Sequence, residues 1–561
     1  MTAIESRAAA ASLADYERFE GIHVVRLAGS DREMGYKHGQ LLAAAIRRGP
    51  VPYFARYVDR LMRENLGPLG GPAATALAST VGAAVARRFP AHVREALDGL
   101  ADGARLSRRQ LVNAVTMPET FLWAVSRYTR LRGFPDAPRF GVPLMGCTSA
   151  FAWGAASRDG HFLHGRNFDY QGVGAWDRET AVFFYAPTGA QRYVAIGAAG
   201  IHLGGVTAMN ESGLTMAVHQ HLSTVDVTLG GLPVGIVGDT LMREARDLDD
   251  ARRILDEHRP NGSWTYLIGS AREDAVLCYE VTAARRAWFR PEGTTFGYSN
   301  IYLEPALAKS ERFTYPSQWR WNAARYHRAN DLLTERCGTI DADYVAGILG
   351  DVGADSRCRI TRAIAALVTV GSTVFDATAG LAWVGAGRAP TSSRAFVAFD
   401  LTSQTARAEL GSLTAGERAN APSAAAFEAY RDGCEAYFND EDMPSARRHL
   451  RRACELRPGD SLFALISGLI ALFDGDAPGA LADLERARTL GHADPERVAK
   501  ITLWHARALD ALRRRDDAVA AYHAVNGGDP LVQRAAEEGA RRPWSGKRVA
   551  LDFTFADTPT P

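Results

Sequence analysis

The spacing of hydrophobic positions along the chain changes near residue 147 and again near residue 419. Before the first change, one short apolar run at 22–27 predicts a strand. Apolar residues then recur at helical spacing. This spacing predicts a mainly helical leader over residues 1–146, with a turn and helix cap at 29–31 and helices at about 34–42, 53–66, 73–89, 91–100 and 108–128.

Residues 147–415 have a different pattern, in which short β-prone runs are separated by glycine and asparagine. Helical spacing interrupts these runs four times, at about 233–245, 248–258, 325–336 and 342–349. Antiparallel hairpins mixed with helices predict a layered α+β core rather than alternating βαβ units. The predicted strands are 148–154, 162–170, 181–185, 193–197, 204–209, 215–220, 264–270, 275–281, 371–376, 381–385 and 395–400.

Beyond residue 419 the β-prone runs stop and small residues repeat at a spacing of 34 or 35. Gly433, Ala446 and Ala453 recur in this way as Gly468, Ala480 and Ala487. This period, with small residues where paired helices touch, resembles that of tetratricopeptide (TPR) repeats. The pattern predicts TPR-like helical repeats over residues 420–540 and an irregular tail over 541–561.

Composition narrows the classes of function. A chain of 561 residues with 47% hydrophobic and 23% charged residues is typical of a globular protein of two to four domains. A net charge of +1 lacks the basic excess that nucleic acids require. The sequence has no apolar run of about 18 residues, and its first twenty residues lack a signal-peptide pattern. We therefore expect no nucleic acid partner, no membrane association and a cytoplasmic location.

The six cysteines include no CxxC pair, so neither a disulfide framework nor a structural zinc site is expected. Cys147 differs from the others because it lies where the helical pattern gives way to the β pattern. A free thiol has a pKa of about 8.5 and needs a base to react at neutral pH. Cleavage of the Gly146–Cys147 bond would create an α-amine with a pKa of about 7.7–8.0, which suits that task. The alternative is a structural cysteine, because free cysteines are usually buried core residues.

The residues after Cys147 favour the nucleophile hypothesis. Asp159-Gly160 predicts a hairpin turn, which would return the chain antiparallel to the strand that begins at Cys147. Arg166 or Asp169 would then lie beside the thiol. A carboxylate can hold an α-ammonium group, and a guanidinium can favour a thiolate or bind a substrate carboxylate. The alternative for Arg166 and Asp169 is a local ion pair at a strand end.

These motifs together resemble a known family. The runs GCTSAFAWG (146–154), SRDG (157–160) and GRNFD (165–169) are similar to the isopenicillin N acyltransferase-like branch of the N-terminal nucleophile (Ntn) hydrolases, related to choloylglycine hydrolases. Segments 29–42, 209–214, 297–300 and 371–376 are also similar to that branch, in the same order. The resemblance covers about 22–400. It implies a four-layer αββα sandwich with Cys147 at the end of a central strand.

The resemblance also implies a chemistry and a set of residues. Cleavage between Gly146 and Cys147 would free a cysteine that attacks an amide or thioester carbonyl. Arg166 and Asp169 match the family's Arg-x-x-Asp, while Asn300 and Asn210 match amide donors that stabilise a tetrahedral oxyanion. Asn210 has an alternative as a turn residue before Gly213. The family's later arginine is open among Arg357, Arg359 and Arg362.

Other candidates are weaker. Tyr170 and His219 are candidate pocket residues, together with aromatic neighbours that could equally be core. His219 and His221 share one strand face, which would suit a metal, but no third ligand is near. We therefore expect no metal and no cofactor.

Two hypotheses about function follow. The first is a self-processing cysteine Ntn amidohydrolase or acyltransferase acting on a small acyl amide or acyl thioester, in which the TPR-like repeats could bind a protein or carrier-protein partner. The second is a TPR-mediated interaction protein with a degenerate Ntn-like core. A role in bacterial secondary metabolism is an analogy from composition and family.

Overall fold

The structure is a computed structural model. It describes residues 15–132, 146–201, 205–221, 226–311, 316–353, 363–420, 424–492, 494–527 and 530–546.

The strands form two sheets. Sheet A has nine strands in the order β1-β2-β5-β6-β7-β8-β9-β10-β11, and sheet B contains β12-β3-β4-β13-β14-β15-β16 with β17 paired to β15. The strands are β1 Tyr16–Phe19, β2 Ile22–Gly29, β3 Gly146–Ala152, β4 Leu163–Asp169, β5 Thr180–Pro187, β6 Tyr193–Ala198, β7 Thr207–Asn210, β8 Leu214–Gln220, β9 Trp264–Ser270, β10 Ala275–Val281, β11 Arg286–Phe289, β12 Thr295–Tyr298, β13 Thr369–Asp376, β14 Leu381–Gly385, β15 Phe396–Asp400, β16 Thr405–Ala406 and β17 Ser412–Leu413.

The helices cover the outer faces of the sheets and continue beyond them. They are α1 Asp31–Ile46, α2 Pro50–Leu66, α3 Gly70–Ala86, α4 Ala91–Ala104, α5 Arg108–Val115, α6 Met117–Arg132, α7 Val234–Glu244, α8 Leu248–Glu257, α9 Pro305–Ala308, α10 Pro316–Glu335, α11 Ala342–Leu349, α12 Ala415–Asn420, α13 Ala424–Phe438, α14 Met443–Leu456, α15 Ser461–Phe473, α16 Ala477–Leu490, α17 Pro495–Ala511, α18 Arg515–His523 and α19 Pro530–Arg541.

The two sheets face each other across an apolar layer. Phe151 and Phe162 from the β3–β4 hairpin pack there with Val182, Phe184 and Met209 of sheet A. Alternate residues point outwards: those of sheet A pack against helices of the leader and against α7 and α8, and those of sheet B pack against α10 and α11. This arrangement is the four-layer αββα sandwich that the sequence predicted.

The leader contributes strands as well as helices. β2 lies inside sheet A, where it pairs parallel with β5, and β1 forms the edge beside it. The strand expected at 22–27 is therefore part of the main sandwich. A leader strand buried in this sheet would stay bound after cleavage of the Gly146–Cys147 bond.

The hairpin that carries Cys147 has the predicted form. β3 and β4 are antiparallel, with Cys147 opposite Phe168, Gly146 opposite Asp169, and Gly160 in the turn at φ +73°. β3 has neighbours on both sides, β12 and β4. β13 lies inside sheet B between β4 and β14.

The helices from α13 onward pack as antiparallel neighbours. The repeated glycines are sites of close approach: a side chain at Gly433 would meet Leu450, and one at Gly468 would meet Leu484. The first of these helices also contacts the sandwich, since Glu435 accepts from Arg178 at 2.5 Å and Arg388 at 2.6 Å. No helix in the described part of the chain is long and apolar enough to span a membrane.

Candidate active site

Cys147 lies at the beginning of β3 with a buried side chain. Gly146 precedes it at a point where helix α10 comes very close, because a side chain at this position would meet the ring of Trp321 at 2.9 Å. Ordinary side chains do not tolerate such contacts. Glycine at 146 therefore lets the strand that carries the thiol pack directly against α10.

Arg325 of α10 holds the backbone of Cys147 from the outer face of sheet B. Its Nη1 donates to the carbonyl oxygen of Cys147 at 2.6 Å and to Oγ1 of Thr148 at 2.9 Å. Its Nη2 donates to Oδ1 of Asn322 at 2.7 Å and to Oδ1 of Asn300 at 3.1 Å. The guanidinium is fully buried and stacks over Trp321 at 4.0 Å. Its hydrogen bonds fix the position of the residue that carries the thiol.

Asn300 contacts the backbone nitrogen of Cys147 directly. Oδ1 of Asn300 accepts from the Cys147 N–H at 2.6 Å, while Nδ2 donates to the carbonyl of Gln220 at 2.8 Å. A carboxamide nitrogen carries two N–H groups, so one of them is left for another acceptor. Asn300 thus lies at the atom that would become the α-amine if the preceding bond were cleaved.

Arg166 lies on the inner face of the same sheet, opposite Ser149 on β3. It is fully buried, and its guanidinium lies near the Cys147 thiol and 5.7 Å from the centre of the Phe168 ring. None of its side-chain nitrogens has a carboxylate or carbonyl acceptor among the described residues, and it interacts instead with the Cys147 thiol. Buried polar groups are almost always paired. An unpaired guanidinium beside a thiol is therefore a strong indication of a binding or catalytic site.

Asp169 ends β4 and faces the outer side with Arg325. Its Oδ1 accepts from Oγ1 of Thr369 at 2.7 Å, and its Oδ2 lies 3.8 Å from Nη1 of Arg325. Burial raises the pKa of this carboxyl, and Arg325, Thr369 and Arg166 oppose the increase. In the register of β3 and β4, Asp169 lies opposite Gly146, the residue directly before Cys147.

Burial also raises the pKa of the Cys147 thiol, and the Arg166 guanidinium opposes that effect most strongly. The backbone N–H of Asp169 and the charge of Arg325 also favour the thiolate. A thiol with a raised pKa needs a base before it can attack a carbonyl group. No histidine is among the described groups that shift the pKa of this thiol.

A partly open cavity lies beside Cys147, where β3 begins and β4 and β8 end. The lining is mostly apolar and comes from both the leader and the core: Phe54, Ala114, Val115, Met117, Pro118, Glu119, Gly146, Cys147, Phe168, Asp169, Tyr170, Trp176, Ile201, Val206, Val218, Gln220, Pro233, Val234, Gly235 and Trp264. A second, smaller cavity, lined by Arg166, shares four of these residues.

The predicted site residues fall into two groups. Cys147, Arg166, Asp169 and Asn300 come together, and Tyr170 lines the larger cavity. Asn210 and His219 are not among the residues that line either cavity. Asn210 instead accepts from the N–H groups of Ser212 and Leu214 and donates to the end of α7, as expected of a turn residue.

His219 of β8 and His221, which follows the end of that strand, have separate partners. His219 lies between the sheets, where its Nε2 is 2.9 Å from Oγ of Ser149, and burial lowers its pKa well below the usual value. His221 contacts Glu311 and Thr265. The described residues contain no cluster of side chains that could hold a metal ion.

Sequence reasoning missed Arg325. The candidates Arg357, Arg359 and Arg362 lie outside the described residues. The expected helix 325–336 begins earlier, at Pro316, so Arg325 lies in its middle and not at its start. The spacing of Trp321, Asn322 and Arg325 places all three on one helix face. That polar and aromatic face could have pointed to the site.

Residues 156–379 match the model of the family described as acyl-coenzyme A:6-aminopenicillanic acid acyl-transferase. The match covers Arg166, Asp169, Asn300 and Arg325 and begins after Cys147. No match is found among curated proteins.

Two solved structures from C. elegans are similar to parts of the chain. The N-terminal domain of stress-induced protein-1 (STI-1) has 23% identity and a TM-score of 0.20, over 21% of this chain and 97% of that one. The N-acylethanolamine-hydrolyzing acid amidase (NAAA) ortholog has 12% identity and a TM-score of 0.30, over 41% of this chain and 93% of that one. Both likenesses are too weak to add to the argument from the site.

Proposed function

Because residues 156–379 belong to the acyl-coenzyme A:6-aminopenicillanic acid acyl-transferase family, a family of Ntn hydrolases, we propose that this chain is a self-processing acyltransferase or amidohydrolase whose nucleophile is Cys147. The family match supports an acyl-transfer or amide-hydrolysing role. The finer assignment, to Cys147 and to an amide or thioester of a small molecule, is argued from the geometry.

One observation carries the proposal: a buried thiol, with a guanidinium beside it that has no carboxylate or carbonyl acceptor among the described residues, lines a cavity of mostly apolar side chains. A structural cysteine needs none of these features. A buried cation without a partner costs stability unless a substrate or a developing charge uses it. The arrangement is therefore better explained by catalysis than by packing.

Maturation would be the first step. The Cys147 thiol attacks the carbonyl carbon of Gly146, and the peptide nitrogen leaves as the α-amine while a thioester forms. Water then hydrolyses that thioester, which releases the Gly146 carboxylate and frees the thiol. Oδ1 of Asn300, already 2.6 Å from the nitrogen, would hold the new amine in place.

The catalytic cycle would follow the same chemistry on a bound substrate. The α-amine takes the thiol proton, and Sγ attacks the substrate carbonyl to give a tetrahedral oxyanion. The free N–H of Asn300 donates to that oxyanion. The leaving group takes the proton from the α-ammonium, and water or an acceptor amine then releases the acyl group from the thioester. In this scheme Arg166 stabilises the thiolate, while Asp169 and Arg325 position Cys147.

The experiment compares wild-type protein with Cys147→Ala. Wild type should appear as two fragments, the larger beginning at Cys147, and should turn over chromogenic acyl anilides or acyl thioesters. Cys147→Ala should stay uncleaved and lose more than about 10⁴-fold in kcat. Cys454→Ala, which removes another buried cysteine in the helical region, is the control and should still cleave. Acyl turnover by uncleaved wild-type protein would contradict the maturation step.

We also propose the division into a leader (1–146), an Ntn core (147–415), TPR-like repeats (420–540) and a tail (541–561). The start of β3 at Gly146 and the packing of Gly433 and Gly468 support it. If the repeats bind a protein or carrier-protein partner, binding should survive Cys147→Ala. An interaction protein with a degenerate core would bind the partner and show no Cys147-dependent turnover.

A further inference from the structure

Glu119 is a buried carboxyl group in the wall of the cavity beside Cys147. It belongs to α6 of the leader and is 1% exposed. Its Oε1 accepts from the backbone N–H of Val234 at 3.2 Å, at the first residue of α7. Its Oε2 has no hydrogen-bond partner among the described residues. Stabilising the start of α7 accounts for one oxygen and leaves the other without a role.

The surroundings do not compensate the charge of this carboxyl. The described residues that line the cavity include no lysine, arginine or histidine. Burial raises the pKa of Glu119 to about 7, against hydrogen bonds from backbone N–H groups that lower it. A buried carboxylate without a cation is costly, and a cation brought by a ligand would remove that cost.

Other polar atoms of the same wall are also unpaired. The indole nitrogens of Trp176 and Trp264 have no partner among the described residues, and neither does either side-chain atom of Gln220. All three residues line the cavity, and they come from separate segments. Purely apolar ligands would leave these buried groups unsatisfied. The cavity is therefore suited to a ligand that is mainly apolar and carries polar groups of its own.

We propose that this cavity binds a substrate whose apolar chain carries a basic amine, and that Glu119 of the leader pairs with this amine. The inference rests on the proposed acyl chemistry at Cys147 and names the class of substrate that this chemistry acts on. Glu119 is then a specificity-determining residue, supplied by the segment that maturation would separate from Cys147.

The test uses two isosteric chromogenic substrates, 6-aminohexanoyl p-nitroanilide and heptanoyl p-nitroanilide, with the shorter and longer homologues of each. The readout is the ratio of kcat/KM for the amine over the alkyl substrate. Wild type should prefer the amine by about tenfold or more, because a charged hydrogen bond of this kind is strong. Glu119→Gln keeps the acceptor for the Val234 N–H and should reduce the ratio to near one.

The pH dependence of the kcat/KM ratio distinguishes an ion pair between Glu119 and the substrate amine from a preference that depends on shape alone. The kcat/KM ratio reports the free enzyme, so the preference for the amine should fall as pH drops below about 7, where Glu119 becomes neutral. Glu119→Gln should show no such change. Glu244→Gln removes an exposed carboxylate at the end of α7 and should keep the wild-type ratio. A wild-type ratio of one or less at every chain length, or a ratio that Glu119→Gln leaves unchanged, would overturn the proposal.

Calorimetric titration with hexylamine and 1-hexanol separates the two proposals. Glu119-dependent preference for hexylamine, without Cys147-dependent turnover, would retain the binding site and reject the proposed function. Turnover that depends on Cys147, without any preference for the amine in kinetics or binding, would retain the function and reject the site.

Discussion

Two buried arginines flank the strand that carries Cys147, one on each face of sheet B. Arg325, on the outer face, uses Nη1 and Nη2 for four hydrogen bonds, one of them to the carbonyl of Cys147. Arg166, on the inner face, has no carboxylate or carbonyl acceptor for any of its side-chain nitrogens among the described residues. Both are fully buried, so solvent does not explain the difference.

The difference separates two uses of the same side chain. A buried guanidinium that donates several hydrogen bonds fixes the geometry of its neighbours, as Arg325 does through Nη1 and Nη2, although its Nε has no partner among the described residues. An unsatisfied one lowers stability and is retained where a ligand or a developing charge uses it. In the proposed mechanism, Arg325 holds Cys147 in position from the outer face, and Arg166 supplies from the inner face the positive charge that favours the thiolate.

Arg325→Met should cause the largest loss of stability, because it removes the hydrogen bonds that α10 makes to β3 on the outer face of sheet B. It removes the Arg325 donor from the carbonyl of Cys147 and from Oδ1 of Asn322 in a buried site, and leaves Oδ1 of Asn300 with only the Cys147 N–H. Removing one partner from a buried charged network costs about 3–5 kcal/mol. Chemical denaturation measures this loss. Arg328→Met, on the same helix with a partly exposed pair to Asp351, is the control and should cost less than about 1 kcal/mol. Equal losses in the two variants would contradict the role assigned to Arg325.

Arg166→Met should have the opposite effects from Arg325→Met, since it should lower activity without lowering stability. Activity with acyl substrates should fall by about 10²–10³-fold, as it does when a charge-stabilising donor is lost. Stability should not fall, because methionine replaces an unpaired buried charge with apolar volume. Steady-state kinetics and thermal unfolding on the same preparation test both parts. A variant that unfolds at a lower temperature and keeps wild-type kcat/KM would reverse the assignment of the two faces.

The sequence predicted the parts of this site that depend on short-range geometry. The Asp159-Gly160 turn and the two-residue period of strands place Arg166 and Asp169 near Cys147, and the structure has that hairpin. Arg325 reaches the site from a helix 178 residues from Cys147, and Glu119 reaches it from a leader helix that packs beside the core. Such contacts depend on how layers pack, which hydrophobic spacing alone does not specify. Asn210 makes the local turn contacts that the sequence offered as its alternative role.

Gly146→Ala should lower stability less than Arg325→Met does. It tests how closely α10 must pack against β3 at residue 146. The added methyl group would meet Cζ3 and Cη2 of Trp321 at 2.9 Å, and Nη2 of Arg325 at 3.0 Å. Overpacking of this kind costs about 1–3 kcal/mol. The ring lies under the Arg325 guanidinium, so its displacement should also slow cleavage after residue 146.

Trp321→Phe tests whether contact with the Trp321 ring causes the loss in Gly146→Ala, because phenylalanine lacks the two ring atoms that the added methyl group would meet. The cost of Gly146→Ala should shrink in the Trp321→Phe background, with a coupling of about 0.5–3 kcal/mol in a double-mutant cycle. Gly459→Ala, at a position with open space around it, should change the free energy of unfolding by less than about 0.5 kcal/mol. Additive losses for Gly146→Ala and Trp321→Phe would mean that the glycine serves the cleavage chemistry and not the packing of α10.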